Sequence, residues 1–214
     1  MEEIKEVLKM VNKICTILTN RIRKSMPEID DERAEVIHYG LQHIVGEIPK
    51  AFIMLAVAYI LGILDLAFIT FVAIIIYKGA SGGIHLKTHI GCILFTTVFY
   101  CIIPFVSQFF VLNQIIKYIV IGVSWIFGMI IIKMYVPADT EDIPILDKKV
   151  RKKRQILSYV SYTIGLIIAL LIDDSTISNI IILASVMQTL TLTKVAYRLA
   201  NNKYGYEVYG NTST

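Results

Sequence analysis

Long apolar runs separated by short polar stretches dominate the chain from residue 48 onward. They predict membrane-spanning helices at roughly 48–64, 65–78, 91–111, 114–133, 155–172 and 177–195. A hydrocarbon core of about 30 Å calls for roughly 20 apolar residues per crossing. The first two runs touch: "AFIMLAVAYILGILDLAFITFVAIIIY" is too long for one comfortable crossing and short for two. Gly62 and Asp65 near its middle predict a tight turn between short helices. Asp65 is then either a turn residue or a functional carboxylate, because a charge in lipid is costly. The last run ends in Gln188, Thr189, Thr191, Thr193 and Lys194, which predicts that this end faces other helices.

Before residue 48 the pattern changes. In "EEIKEVLKMVNKICTILTNRIRK" the residues Ile4, Val7, Leu8, Val11, Ile14, Cys15, Leu18 and Ile22 recur at spacings of three and four. That is one apolar stripe of a helix with Lys and Arg on the other side. Pro27 ends it, and "PEIDDERAEVIHYGLQHIVGE" starts a second amphipathic helix capped near Asp30 or Asp31. Such helices lie in the membrane interface, pack on the ends of a bundle, or contact a peptide substrate. His38 and His43 read as interfacial, and Cys15 and Cys101 as packing residues.

Composition narrows the class. The chain of 214 residues is 56% hydrophobic and 18% charged, against about 25% charged in a soluble domain. The expected fold is all-α, a polytopic membrane protein of about six transmembrane helices preceded by amphipathic helices. Residues 1–47 form the amphipathic segment, 48–195 the bundle and 196–214 a tail of one integral-membrane domain. "MEEIKEVLKM" lacks the apolar core and cleavage site of a signal peptide, and three scattered cysteines make no disulfide framework. With both ends inside, every Lys and Arg of the 21 except Lys117 falls on the cytoplasmic side, as the positive-inside bias requires. "KKVRKKR" (148–154) is an orientation determinant on anionic lipid or a contact for an acidic peptide tail.

That orientation places "GGIHLKTHIGC" (82–92) on the cytoplasmic face between the second and third spans. Cys92 and His85 are a candidate nucleophile and base, provided they come within hydrogen-bond reach. On one continuous helix their seven-residue separation rises about 10.5 Å, so they would share a face without touching. The pair therefore requires the stretch to fold back, and Gly82 and Gly83 suit such a bend. Cys92 would then open the third span, where the helix dipole favours an anion and backbone N–H groups stand ready for an oxyanion. His89, three residues before Cys92, is a competing base if the helix starts earlier. Zinc held by His85, His89 and Cys92 is a second alternative, although no HExxH-type glutamate accompanies them. A third is structural: headgroup-facing histidines and a cysteine acting as a small apolar residue. Ser81 and Thr88 are close in sequence only, and no third catalytic member is evident.

"KGASGGIHLKTHIGC" resembles the AgrB family, integral-membrane cysteine peptidases that mature AgrD-type pro-peptides in bacterial quorum sensing. Gly83, His85 and Cys92 match the family pattern, with Lys78 where Arg is usual; the change keeps the charge but loses the planar fork. "EVIHYGLQHI" (35–44) is similar to the family's Tyr-Gly helix, and "YVPADTEDIPILDKKVRKKR" (135–154) to its Pro-Ala loop with basic residues. The resemblance implies a cysteine endopeptidase with Cys92 and His85 as catalytic residues. Lys78, Gly82, Gly83 and Lys87 would support the oxyanion or bind substrate, with no cofactor and no metal. It further implies an AgrD-type pro-peptide as substrate, a thioester acyl-enzyme, closure of a thiolactone or lactone ring, and a homodimer. Membrane lipid is an expected partner and nucleic acid is not; the localisation is the cell membrane of a Gram-positive-type bacterium. The rival from another class is a small membrane transporter or peptide exporter with a non-catalytic His/Cys loop.

Overall fold

The computed structural model describes residues 2–86, 88–110, 112–141 and 144–209, less the side chains of 2–9, 32, 35, 36, 39, 40, 42–44 and 89. Lys87 and the side chains of His43 and His89 therefore lie outside the described residues. The architecture is all-α: α1 Glu2–Ser25, α2 Asp31–Ile60, α3 Leu64–Ser81, α4 His89–Ser107, α5 Gln114–Tyr135, α6 Lys148–Leu171, α7 Ser175–Leu190, α8 Lys194–Leu199 and α9 Gly205–Tyr209. The chain divides into two compact units, Met1–Ala56 and Val57–Thr214.

In the first unit, α1 ends before Pro27 and α2 opens with Asp30 as its cap, its carboxylate accepting from the Arg33 N–H at 2.8 Å. Among the described side chains of α1, Val11, Cys15 and Thr19 are buried; Val11 and Cys15 lie on the predicted stripe, Thr19 does not, and Ile14 on that stripe is exposed. Burial pushes the Cys15 thiol above its ordinary range, as befits a packing residue. His38 is held across the helix pair: one ring nitrogen meets Asn12 Oδ1 at 3.1 Å and the other Thr19 Oγ1 at 3.3 Å. It pins α1 to α2. Arg23 closes the hairpin on Asp31 at 2.7 Å.

α2 runs without a break from the amphipathic segment into the apolar run that begins near residue 48. It stops at the turn Leu61–Ile63, where Gly62 adopts φ +69°, the left-handed region that glycine occupies at no steric cost. Asp65 then sits exposed in the first turn of α3, where a carboxylate complements the helix dipole. It is a turn residue.

Four described helices, Leu64–Ser81, Ile90–Ser107, Gln114–Tyr135 and Lys148–Leu171, are long and apolar enough to cross a membrane, and Ser175–Leu190 is a shorter apolar helix. The second unit is arranged as a membrane bundle. Large apolar side chains such as Phe68, Ile76, Leu94, Val98, Ile119 and Ile126 point outward. Thr70, Ser124, Ser158, Ser178, Gln188 and Thr189 are buried. With hydrocarbon on both sides of the comparison, small residues and interhelical hydrogen bonds hold such helices together. Tyr162 donates to the Ser124 carbonyl at 2.6 Å, Ser178 to the Ala169 carbonyl at 2.7 Å, and Tyr77 pairs with Thr189 Oγ1 at 3.1 Å. Asn179 reaches the Phe110 carbonyl at 2.6 Å, tying the end of α4 to α7. Lys117, the basic residue that breaks the charge bias, is buried and donates to the Ile172 carbonyl at 2.7 Å. It places a cation at the C-terminus of α6, where the dipole favours one.

Glycine spacing decides one helix crossing. A side chain at Gly128 of α5 would collide with the Tyr162 ring of α6, whereas one at Gly122 meets nothing within 4 Å. Gly128→Ala should therefore destabilise the bundle by about 1–3 kcal/mol, seen as a lowered melting temperature in lipid or detergent. Gly122→Ala should leave stability unchanged or raise it. Equal effects at the two positions would refute the close α5–α6 approach.

Candidate active site

The predicted fold-back takes place. α3 ends at Ser81, Gly82 and Gly83 take φ +78° and +138°, and the next helix does not begin until His89. The described backbone between them is non-helical, and its partners are specific. The Gly82 N–H closes the end of α3 on the Lys78 carbonyl at 2.9 Å. Gly83 N–H donates to the Ala138 carbonyl at 3.0 Å, and Ala138 N–H to the Ser81 carbonyl at 2.8 Å. These two bonds make a single parallel bridge between the Gly-rich turn and the loop after α5. Gln188 of α7 donates to the Gly82 carbonyl at 2.9 Å.

The bridge explains both glycines. A Cβ at Gly82 would run into the Ala138 carbonyl, and one at Gly83 would meet Thr191 Oγ1 at 2.9 Å and Gln188 Nε2 at 3.2 Å. Their positive φ values are strained for any L side chain. Both glycine N–H groups donate within the protein, and both residues shape the turn. Lys78 is half-buried in the last turn of α3, where its charge complements the helix terminus.

The fold-back brings the two chemical residues together. A ring nitrogen of His85 and Cys92 Sγ lie within 4.8 Å of each other, less than half the rise a continuous helix would impose. An approach within that limit is compatible with the hydrogen-bond reach, or the looser resting geometry, of a catalytic pair. Cys92 is 9% exposed, in contact with solvent but mostly enclosed, and His85 is half-buried.

Thr88, close to Cys92 only in sequence on first reading, is the N-cap of α4: its Oγ1 accepts from Gly91 N–H at 3.2 Å and its carbonyl from Cys92 N–H at 2.9 Å. The helix thus starts three residues before Cys92, so the thiol stands one turn inside rather than at its opening. The Gly91 and Cys92 N–H groups are engaged by Thr88, which removes them as oxyanion donors. The field of the α4 N-terminus favours a developing anion beside Cys92. The early start also sets His89 three positions before Cys92 on one helix. His85 and Cys92 are both residue types that ligate zinc.

The loop 136–145 that bridges to Gly83 is itself anchored. Asp139, its side chain fully buried, pairs with Arg151 at 3.2 Å and accepts from Ile145 N–H at 2.9 Å. Arg151 also donates to the Ile145 and Pro137 carbonyls and lies 4.2 Å over the Tyr206 ring. Within "KKVRKKR" this arginine is thus structural, unlike its exposed neighbours Lys149, Lys152 and Lys153. Gln188, Ala138 and Asn202, which accepts from His85 N–H at 3.0 Å, escaped sequence reasoning as site residues. Gln188 alone left a signal, as an amide in an apolar run.

The chain is similar in sequence to several known proteins. An AgrB-like protein of Listeria monocytogenes is 27% identical over 191 residues, covering 88% of this chain and 91% of that one. An AgrB-like protein of Clostridium acetobutylicum is 22% identical over 195 residues, 91% of each. The accessory gene regulator protein B of Staphylococcus aureus is 24% identical over 161 residues, 75% of this chain and 83% of that one. No solved structure matches. The sequence profile of accessory gene regulator B matches residues 15–192, and the chain belongs to the AgrB family.

Proposed function

We propose that this chain is the membrane cysteine endopeptidase of its agr quorum-sensing system, with Cys92 as nucleophile and His85 as general base. The observation that supports the reading is the approach of the His85 ring to Cys92 Sγ within 4.8 Å, across a turn whose glycines admit no side chain. Family membership supplies the setting: an AgrD-type pro-peptide as substrate and a membrane as the place of work. The charge bias along the chain supports a cytoplasmic active-site loop with both termini on the same side, and the family resemblance supports a homodimer in contact with lipid.

The chemistry is two acyl transfers. His85 takes the Cys92 proton as the sulfur attacks a peptide carbonyl of the precursor, and the N-terminal field of α4 steadies the tetrahedral oxyanion. His85 then returns the proton to the leaving amine. The C-terminal fragment departs, and the N-terminal fragment stays as a thioester on Cys92. A thiol or hydroxyl within that fragment attacks the thioester carbonyl, closes the ring and regenerates the Cys92 thiol. Water competes for the same thioester, so the low exposure of Cys92 favours cyclisation over hydrolysis.

Intact mass spectrometry of the lipid-embedded protein mixed with its AgrD-type pro-peptide tests this reading. An adduct equal to the N-terminal fragment should appear on the wild type and be absent from Cys92→Ala. His85→Ala should slow its formation by about 10²–10⁴-fold. An unchanged adduct in Cys92→Ala, or none in the wild type with the right precursor, would contradict the proposal. Chelation gives an independent check: cleavage should be insensitive to 1,10-phenanthroline, and its abolition with recovery on added zinc would favour the metal alternative.

A further inference from the structure

We propose that Asn202 is a positioning residue for His85, and that the turn Tyr197–Gly205 is a clasp that fixes the His85–Cys92 geometry. The proposal rests on the peptidase reading above. His85 lies in non-helical backbone, so no helical ladder sets its orientation. Its own N–H instead donates to Asn202 Oδ1 at 3.0 Å, from a residue 117 positions away. Asn202 is 8% exposed, which shields the bond from water.

Asn202 is itself held by a closed turn. Its N–H donates to the Tyr197 carbonyl at 2.9 Å, and Asn201 before it donates to the Arg198 carbonyl at 3.2 Å. Asn201 takes φ +53°, the left-handed region that Asn tolerates better than most residues. Tyr197 and Tyr204 flank the turn as a buried stack, centroids 4.0 Å apart and planes 6° from parallel. Tyr197 donates to the Ala138 carbonyl at 2.7 Å and approaches the Asp139 carbonyl at 3.1 Å. Tyr204 donates to the Leu192 carbonyl at 2.6 Å. Burial, more than the nearby Asp139, pushes both phenols well above their ordinary range, so they remain hydrogen-bond donors.

The clasp therefore grips the site from two sides. Tyr197 binds the same Ala138 carbonyl that receives Gly83 N–H, and Asn202 binds the backbone of the base. A Cβ at Gly205 would collide with the Thr140 carbonyl and Pro144, so the segment lies flush against the loop it holds. Residues 197–205, part of the stretch read from sequence as a tail, pack into the second unit. Its direct bond to His85, rather than to the bundle alone, is what separates positioning from bulk stability.

The test compares Asn202→Asp, which keeps the Oδ1 acceptor, with Asn202→Leu, which keeps the approximate volume without it, and with Asn202→Ala. Cleavage kinetics with the AgrD-type pro-peptide and melting temperatures are measured on the full chain in lipid. The expected result is a kcat loss of about ten- to a hundredfold in the Leu and Ala variants with KM within about twofold, and near wild-type kcat in Asn202→Asp. Wild-type kcat in Asn202→Leu, equal loss in Asn202→Asp, or a rise in KM alone would overturn the proposal. If Asn202→Ala fails to fold, the Asp–Leu pair decides. Wild-type protein that forms no Cys92 adduct would instead remove the peptidase reading, and this inference with it.

Discussion

Backbone that leaves a helix inside a packed structure must find partners for its polar groups, and that constraint organises this molecule. The stretch between α3 and α4 cannot be helical if His85 is to meet Cys92. Several polar groups of its described residues are answered by other elements: Ala138 from the loop after α5, Gln188 from α7, and Asn202 from the C-terminal turn. The parallel bridge between Gly82 and Ala138 is the centre of this arrangement. It fits only because two glycines leave room for backbone to approach backbone.

The bundle supplies the rigid frame on which that bridge hangs. Its helices present large apolar side chains outward and small or polar ones inward, the distribution expected where lipid supplies no hydrophobic drive for helices to associate. Tyr77, Tyr162 and Thr189 join α3, α6 and α7 just below the turn: the two rings lie 5.2 Å apart, and the Tyr77 hydroxyl meets Thr189 Oγ1. Gln188, next to Thr189, carries the connection into the site itself. The buried Asp139–Arg151 pair does the same for the facing loop. Breaking one partner of such a pair leaves an uncompensated charge, typically at a cost of about 3–5 kcal/mol.

Much of this was legible in the sequence because it depends on local chemistry. Runs of apolar residues located most ends of the apolar helices to within a few positions, although four of the described helices rather than six are long and apolar enough to cross a membrane. Gly62 marked the turn before α3. The Asp30 cap and the burial of Val11 and Cys15 on the apolar stripe likewise follow from nearest neighbours. The His85–Cys92 pairing was legible as a requirement, since a continuous helix would have kept the residues about 10.5 Å apart. What stayed hidden was non-local. Nothing near Asn202 announces that its amide will meet a backbone N–H 117 residues away, and Ala138 contributes only main-chain atoms, which carry no sequence signature. Thr88 was visible but undervalued. A threonine ahead of an apolar run is a cap signal, and reading it so would have placed Cys92 one turn inside α4 and its N–H out of reach of a substrate.

The account stands on Cys92 and His85 acting as one unit, and that can be measured without the precursor peptide. In a chain carrying Cys15→Ala and Cys101→Ala, so that Cys92 is the single thiol, the rate of alkylation by iodoacetamide is compared with and without His85→Ala. The account predicts alkylation slower by about tenfold or more once the neighbouring base is gone, with the melting temperature unchanged. Equal rates in the two proteins would show that the histidine does not activate the thiol, and would contradict the dyad.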